Sequence, residues 1–233
     1  MQLNLAASGT YNTNELRSLG VGVAPITLGT RQRHVQGYPL GGYWIHDVTG
    51  FEDQNGDGIV SATEVMVSDT AVYLGEVTPP FMASIQPSLD LFKRVRISAV
   101  VGLSYGNKLY NFSEGFRCNR GNARGRNDIT VPLGDQANCV AHALLGVPGG
   151  YVEDAGFTKL REVSATVTLP ASLANRARMR AASITVAGQN LGTWTKYRGV
   201  DPDISSRGSN FETVDFLQPG PRRVWVLRAN TSF

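Results

Sequence analysis

The sequence predicts an all-β fold: an antiparallel, membrane-spanning section of a β-barrel, with long loops at one end of its strands and short turns at the other. Three observations carry that expectation. Six segments of about ten residues alternate apolar and small polar side chains, and a period of two places the two kinds on opposite faces of a strand. The connections between these segments alternate in length. Glycine is abundant, at 26 of 233 residues with 11 prolines, which favours turns over long helices.

The strands follow in order. In "QLNLAASGTY" Leu3, Leu5, Ala7, Gly9 and Tyr11 share one face, opposite Gln2, Asn4, Ala6, Ser8 and Thr10. "FMASIQPSLDLF" sets Phe81, Ala83, Ile85, Pro87, Leu89 and Leu91 against Met82, Ser84, Gln86, Ser88 and Asp90. "VRISAVVGLSY" sets Ile97, Ala99, Val101, Leu103 and Tyr105 against Arg96, Ser98, Val100, Gly102 and Ser104. "LREVSATVTLP" offers Val163, Ala165, Val167 and Leu169 against Glu162, Ser164, Thr166 and Thr168. "ASITVAGQNL" offers Ile184 and Val186 against Ser183, Thr185 and Gln189. The last, "RRVWVLRANTSF", puts Trp225, Leu227, Ala229 and Phe233 on one side, and Arg228, Asn230 and Ser232 with Val224 and Val226 on the other.

Alternation alone also fits a soluble sandwich. The connections discriminate. "KRV" and "ASLANRARMRA" are short, whereas residues 17–78, 112–158 and 192–219 are long and rich in Gly, Asn, Asp and Pro. Compact soluble domains rarely carry several structureless loops beyond about 15 residues, and outer-membrane barrels combine short turns with long loops in this way. An aromatic residue directly after the last strand, Phe233, suits a membrane interface.

Several classes are disfavoured. A formal charge of +3 without a long basic run gives no electrostatic footprint for nucleic acid. No run of about 18 apolar residues predicts a membrane-spanning helix, and the residues after Met1 lack the pattern of a secretory leader. "GLSYG", Gly102 to Gly106, matches a nucleophile elbow in letters only, because Ser104 falls inside an alternating strand and no helix follows. His34, His46 and His142 read as loop residues, and no enzyme is expected. Arg117, Arg120, Arg124 and Arg126 read as a solvated loop patch, and Arg176, Arg178 and Arg180 as a solvated turn.

One motif points to a metal. "DQNGDGIVSATE" fits the calcium-loop pattern, with Asp53, Asn55, Asp57, the Ile59 carbonyl, Ser61 and Glu64 at the ligand positions and Gly58 at the sharp turn. Neither flank reads as a helix, so an EF-hand is not expected. The same residues also suit an Asx-rich turn in which Asn and Asp bond their own backbone. Cys118 and Cys139 lack neighbouring ligands for zinc. They read as free thiols or, in an extracellular segment, as a disulfide. The aromatic loop residues Tyr38, Tyr43, Trp44, Trp194 and Tyr197 could stack on a sugar or pack a partner, or serve loop packing and interface anchoring.

The ordered stretches "QGYPLGGYW", "FEDQNGDGIV", "YLGEVTPPF", "YGNKLYNF", "FTKLREVSATVTLP", "ITVAGQNLGTWTKYRGVDPDIS" and "QPGPRRVWVLRANTSF" resemble the C-terminal portion of SusC/RagA-type TonB-dependent outer-membrane receptors. That resemblance covers nearly the whole chain. It implies the last six or so strands of a barrel of about 22, without plug or TonB contact, and so a fragment. It implies a location in the outer membrane of a Gram-negative-type bacterium, with membrane lipid against one face. It further implies energised import of a glycan or peptide, with a SusD-like surface lipoprotein and the TonB complex as partners; no cofactor is required, and calcium in the 53–64 loop rests on the motif alone. Trp44, Trp194 and Tyr197 are then candidate ligand or lid contacts. The competing expectation is a soluble extracellular β-domain that binds calcium and carbohydrate, its apolar face covered by a second sheet.

Overall fold

The computed structural model describes residues 1–119, 124–204 and 212–233. Arg120 of the basic loop patch lies outside them. Six strands form one antiparallel sheet in sequence order: β1 Gln2–Tyr11, β2 Phe81–Leu91, β3 Val95–Tyr105, β4 Phe157–Thr168, β5 Ala181–Thr195 and β6 Val224–Ser232. These are the six alternating segments of the sequence. β4 and β5 extend a few residues further than the alternation suggested, across a bulge between Leu160 and Glu162.

The register turns a local pattern into two faces. Side chains in a directly opposed row point to the same side of a sheet. One row runs Leu3, Leu89, Ile97, Ala165, Val186, Leu227 across all six strands. The next row runs Gln2, Asp90, Arg96, Thr166, Thr185, Arg228. Every side chain of the first row is apolar and every one of the second is polar. Cross-strand hydrogen bonds tie the polar face together: Ser98 to Ser164 at 2.8 Å, Thr166 to Thr185 at 2.8 Å, and the Gln189 amide donating to Glu162 at 2.9 Å.

The apolar face is bare. Leu3 is 70% exposed, Trp225 69% and Leu227 73%. Three smaller sheets exist among the described residues, of four, two and two strands. All three belong to the long connections and none covers this face. The second layer that a soluble sandwich requires is therefore not supplied by the described residues.

The short connections are a turn at 92–94 and a segment at 169–180 containing the helix Ala171–Arg176. Arg94 N–H donates to the Leu91 carbonyl at 3.1 Å across Phe92 and Lys93, whose φ angles are 52° and 57°. Two successive left-handed residues make the hairpin turn whose twist matches that of the strands.

The long connections fold into a layer with its own core. The first, residues 12–80, holds a four-stranded sheet (Ile26–Leu28, Gln32–His34, Gly42–Ile45, Val72–Gly75) and a hairpin, Val48–Phe51 with Val65–Val67. The second, 106–156, holds helices α1 Phe112–Cys118, α2 Arg124–Asn127 and α3 Leu133–Val140. These helices replace the loop expected for this segment. They are short and glycine-interrupted, so local propensity gives little signal. Tertiary bonds hold them: the Asn111 side chain caps α1 by accepting from Glu114 N–H at 3.1 Å. His34 likewise closes a strand, and His142 sits in a helical turn. Tyr43, Ile45, Tyr110, Cys118, Cys139, Tyr151 and Val214, drawn from all three connections, form the principal buried cluster. Burial in this chain is thus concentrated in the loop layer, and the sheet, with an apolar and a polar side, contributes little.

Candidate functional site

The acidic loop closes a β-hairpin, with strands rather than helices on both flanks. Asp53 organises it. One carboxylate oxygen accepts from Gly56 N–H at 2.9 Å and Asp57 N–H at 3.2 Å, and the other from Gly58 N–H at 2.9 Å. Asp57 accepts from Ile59 N–H at 2.8 Å and from the Asn55 amide at 2.9 Å. Gly56 and Gly58 have φ of 71° and 79°, a conformation that glycine adopts without penalty. Glu64 joins the two ends of the loop, accepting from Gln54 N–H at 2.9 Å, Ser61 N–H at 2.8 Å and Ser61 O–H at 2.7 Å. The backbone N–H of Ser61, followed by its hydroxyl, holds the Glu64 carboxyl below the usual range. The six expected ligand residues therefore lie in one loop. One oxygen of Asp53 and one of Glu64 each already accept two bonds, whereas the second Asp53 oxygen and both Asp57 oxygens accept one each and keep lone-pair capacity. An all-oxygen donor set suits a hard cation, though among the described residues no three acidic, His or Cys side chains converge as a metal-holding group.

Gln136 was missed by the sequence reading. This fully buried side chain on α3 accepts from Val60 N–H at 3.0 Å and donates to the Gly58 and Val131 carbonyls at 2.9 Å each. It locks the acidic loop to α3, 76 residues away in sequence. No local pattern could have revealed that pairing.

Cys118 and Cys139 are bonded to each other, with Cα atoms 5.3 Å apart, and join α1 to α3. Gly125 in α2 passes close above: a Cβ there would lie 3.0 Å from the Cys139 sulfur. A cleft of about 780 Å³ opens alongside, lined by Arg117, Arg124, Asp135, Tyr151 and Arg198 among others. Its charges are paired: Arg198 with Asp135 at 2.5 Å, Arg117 with Glu114 at 2.8 Å and Arg124 with Asp128 at 2.7 Å.

The aromatic candidates separate. Trp44 is half-buried and packs with Tyr38 and Tyr73, at ring centroid distances of 4.7 and 5.5 Å. Trp194 is 60% exposed at the end of β5. Tyr43 and Tyr197 are interior, which removes them from the set of surface contacts. The Tyr43 hydroxyl donates to the Thr213 carbonyl at 2.7 Å, and burial pushes its pKa up to about 12. Tyr197 is 5% exposed and donates to Asp215 at 2.8 Å. Burial and that neighbouring carboxylate hold its hydroxyl protonated. Tyrosine rings bury readily when the hydroxyl finds an acceptor. His142 is buried as well, its Nε2 3.0 Å from the Tyr110 hydroxyl, and burial followed by the Arg31 charge lowers its pKa to about 4.

A charge cluster on the polar side of the sheet was also missed. Lys159 on β4 donates to Asp201 at 2.5 Å and to Asp203 at 3.3 Å, and Arg161 donates to Asp203 at 3.1 Å. The Lys159 side chain is 9% exposed and that of Asp201 3%. This cluster fastens the β5–β6 connection onto the polar face of the wall. Ser104 lies within β3, opposite Met82 and Phe157, so it occupies no elbow.

No family model matches the chain. Two curated proteins of Formosa agariphila do. TonB-dependent receptor P26 is 27% identical over 169 residues, covering 69% of this chain and 16% of that protein. TonB-dependent receptor P3 is 24% identical over 165 residues, with the same coverage. The chain is similar to a section of a TonB-dependent receptor. The fold agrees with that: solved structures of the RagAB peptide transporter superpose with a TM-score of 0.71 at 22% identity, over 99% of this chain and 27% of that one. The closed-closed and open-open states of the RagAB importer give 0.69 and 0.64. This receptor-like chain spans about a sixth of the curated relatives and about a quarter of the RagAB chain. Its relatives are receptors and transporters, and their class is not enzymatic.

Proposed function

We propose that the chain forms six adjacent wall strands of an outer-membrane, TonB-dependent importer for nutrients too large for passive pores, glycans or peptides. The observation that carries this reading is the register, which sorts six strands into a continuous apolar face with nothing over it and a hydrogen-bonded polar face. A bare apolar face of this extent needs hydrocarbon, and strands of 9 to 15 residues are long enough to cross a bilayer at a tilt. Six strands leave two unpaired edges, which lipid does not tolerate. Barrel closure, the plug and the TonB contact then belong to parts of such a receptor beyond these residues. The polar face lines the lumen, and the loop layer forms the mouth, where Trp44 and Trp194 meet the ligand or a SusD-like surface lipoprotein. The Asp53–Glu64 loop takes calcium there, and the Cys118–Cys139 bond braces the layer in an oxidising medium.

Tryptophan quenching by brominated acyl chains tests the reading. Trp225 projects from the apolar face on the edge strand β6, opposite Gly188 at the midpoint of β5, and Trp44 sits in the loop layer. In vesicles holding a refolded, closed barrel that contains these six strands, with Trp225 or Trp44 kept as the sole tryptophan, Trp225 is strongly quenched and Trp44 is not. Equal quenching of both, or of neither, sinks the assignment.

A further inference from the structure

The two short connections, residues 92–94 and 169–180, contain Lys93, Arg94, Arg176, Arg178 and Arg180 and no Asp or Glu. These five charges exceed the +3 of the whole chain. The opposite end has the reverse sign: the long connections 12–80, 106–156 and 196–223 hold 17 acidic against 13 basic side chains. All five short-end cations are exposed, and none is in a salt bridge among the described residues.

Backbone bonds put the two connections on one edge. Thr168 N–H donates to the Arg94 carbonyl at 2.8 Å, and Arg180 N–H to the Ser232 carbonyl at 2.7 Å. Apolar side chains accompany the cations at this level: Phe92 is 85% exposed and Leu173 49%. The turn itself is unusual. Phe92 and Lys93 occupy left-handed positions where Asn-Gly would be favoured. Turn chemistry alone does not account for them, and such outliers point to function.

We propose that this edge is a headgroup anchor for anionic phospholipid in the leaflet that the short connections reach. The proposal rests on the membrane reading above. Cations interleaved with an exposed aromatic ring and an exposed leucine, directly at the border of a bare apolar face, match the headgroup zone of a bilayer. Five exposed cations without fixed partners suit a fluid anionic surface more than a shaped acidic protein, which would need defined acceptor geometry. The polarity of the chain has a consequence: the acidic loop layer is disfavoured on this side, so the charges also orient the wall.

The test is flotation of a refolded, closed receptor barrel containing these six strands with vesicles of phosphatidylcholine alone and with added phosphatidylglycerol, with and without excess inorganic phosphate, and with Arg176, Arg178 and Arg180 all replaced by Gln. Each cation near an anionic surface contributes about fivefold in binding. The expected result is a preference for phosphatidylglycerol of at least about tenfold that the triple variant loses, that salt weakens, and that inorganic phosphate does not abolish at constant ionic strength. Insertion into both vesicles with equal affinity, or a preference unchanged in the triple variant, overturns the anchor and leaves the membrane reading standing. Competition by free phosphate assigns the cations to a soluble anion and likewise overturns it. Failure of the closed barrel to enter either vesicle while the far-ultraviolet spectrum stays β-rich removes the membrane reading and the anchor together.

Discussion

Replacing Asp201 by Asn tests whether the buried ion pair fixes the β5–β6 connection on the wall. Lys159 Nζ lies 2.5 Å from Asp201 and 3.3 Å from Asp203, and also sits 4.8 Å from the centre of the Phe157 ring. Taking one partner from a buried pair costs about 3–5 kcal/mol, because the other charge stays desolvated. Asp203, with a side chain 41% exposed, remains as a second acceptor, so Asp201→Asn belongs at the low end, about 3 kcal/mol. Lys159→Met strands Asp201 instead, although Asp201 keeps the Asp203 N–H at 2.8 Å. With both replaced, no charge is left unpaired, and the double variant costs about 1 kcal/mol in lost hydrogen bonding. The coupling in the cycle is therefore about 2 kcal/mol or more. Urea unfolding of the refolded chain gives the three differences, and hydrogen exchange at the Asp203 amide reports the local effect. A coupling under about 0.5 kcal/mol, the level of additive sites, with unchanged exchange at Asp203, would refute the latch.

A Cβ on Gly188 would come within 2.9 Å of the opposed Trp225 ring, so Gly188→Val displaces that ring and costs about 1–3 kcal/mol by overpacking; an unaltered Trp225 emission spectrum contradicts the packing. His142 has a folded pKa of about 4, below its ordinary 6.5, so its contribution is complete above pH 6.5 and is lost as pH falls toward 4. The full shift corresponds to about 3 kcal/mol, and about 2 kcal/mol after solvent screening; unfolding midpoints at pH 7 and pH 4.5 check it, with His142→Gln flattening the dependence. Breaking the Cys118–Cys139 bond releases a loop of 21 residues and costs about 3 kcal/mol on the chain-entropy model, read as a lower urea midpoint in Cys118→Ser and on reduction. Calcium at ten times its dissociation constant stabilises the chain by about 1.4 kcal/mol, an effect that Asp57→Asn should reduce; thermal shifts that magnesium reproduces in full, or that survive in Asp57→Asn, argue for an Asx turn alone.

The parts of this molecule legible in the sequence are those set by nearest neighbours and solvent. Period-two alternation decides which residues of a strand share a face, so Leu3 and Leu5, or Gln2 and Asn4, can be sorted without knowing their partners. The lengths of the connections then decide which end of the sheet is elaborate. The motif Asp53–Glu64 could be read because its bonds span a few residues. What could not be read are contacts made across long stretches of chain. The helices of 106–156 exist through a cap, a disulfide and packing against the other connections. Gln136 finds Gly58 at a separation of 78 residues, and Lys159 finds Asp201 at 42. Tyr197 carries the same letter whether it faces a ligand or Asp215, and only the folded loop layer chose the latter.

The sequence by itself determined the strands, their two-faced character and the sign of charge at each end, because these depend on spacing along the chain. Tertiary structure decided where the core lies, which carboxylates are buried and which aromatic rings remain at the surface. The physical reason is that burial belongs to pairs of distant segments: loop-closure entropy is spent to bring them together, and only the finished packing reveals which side chains repay it.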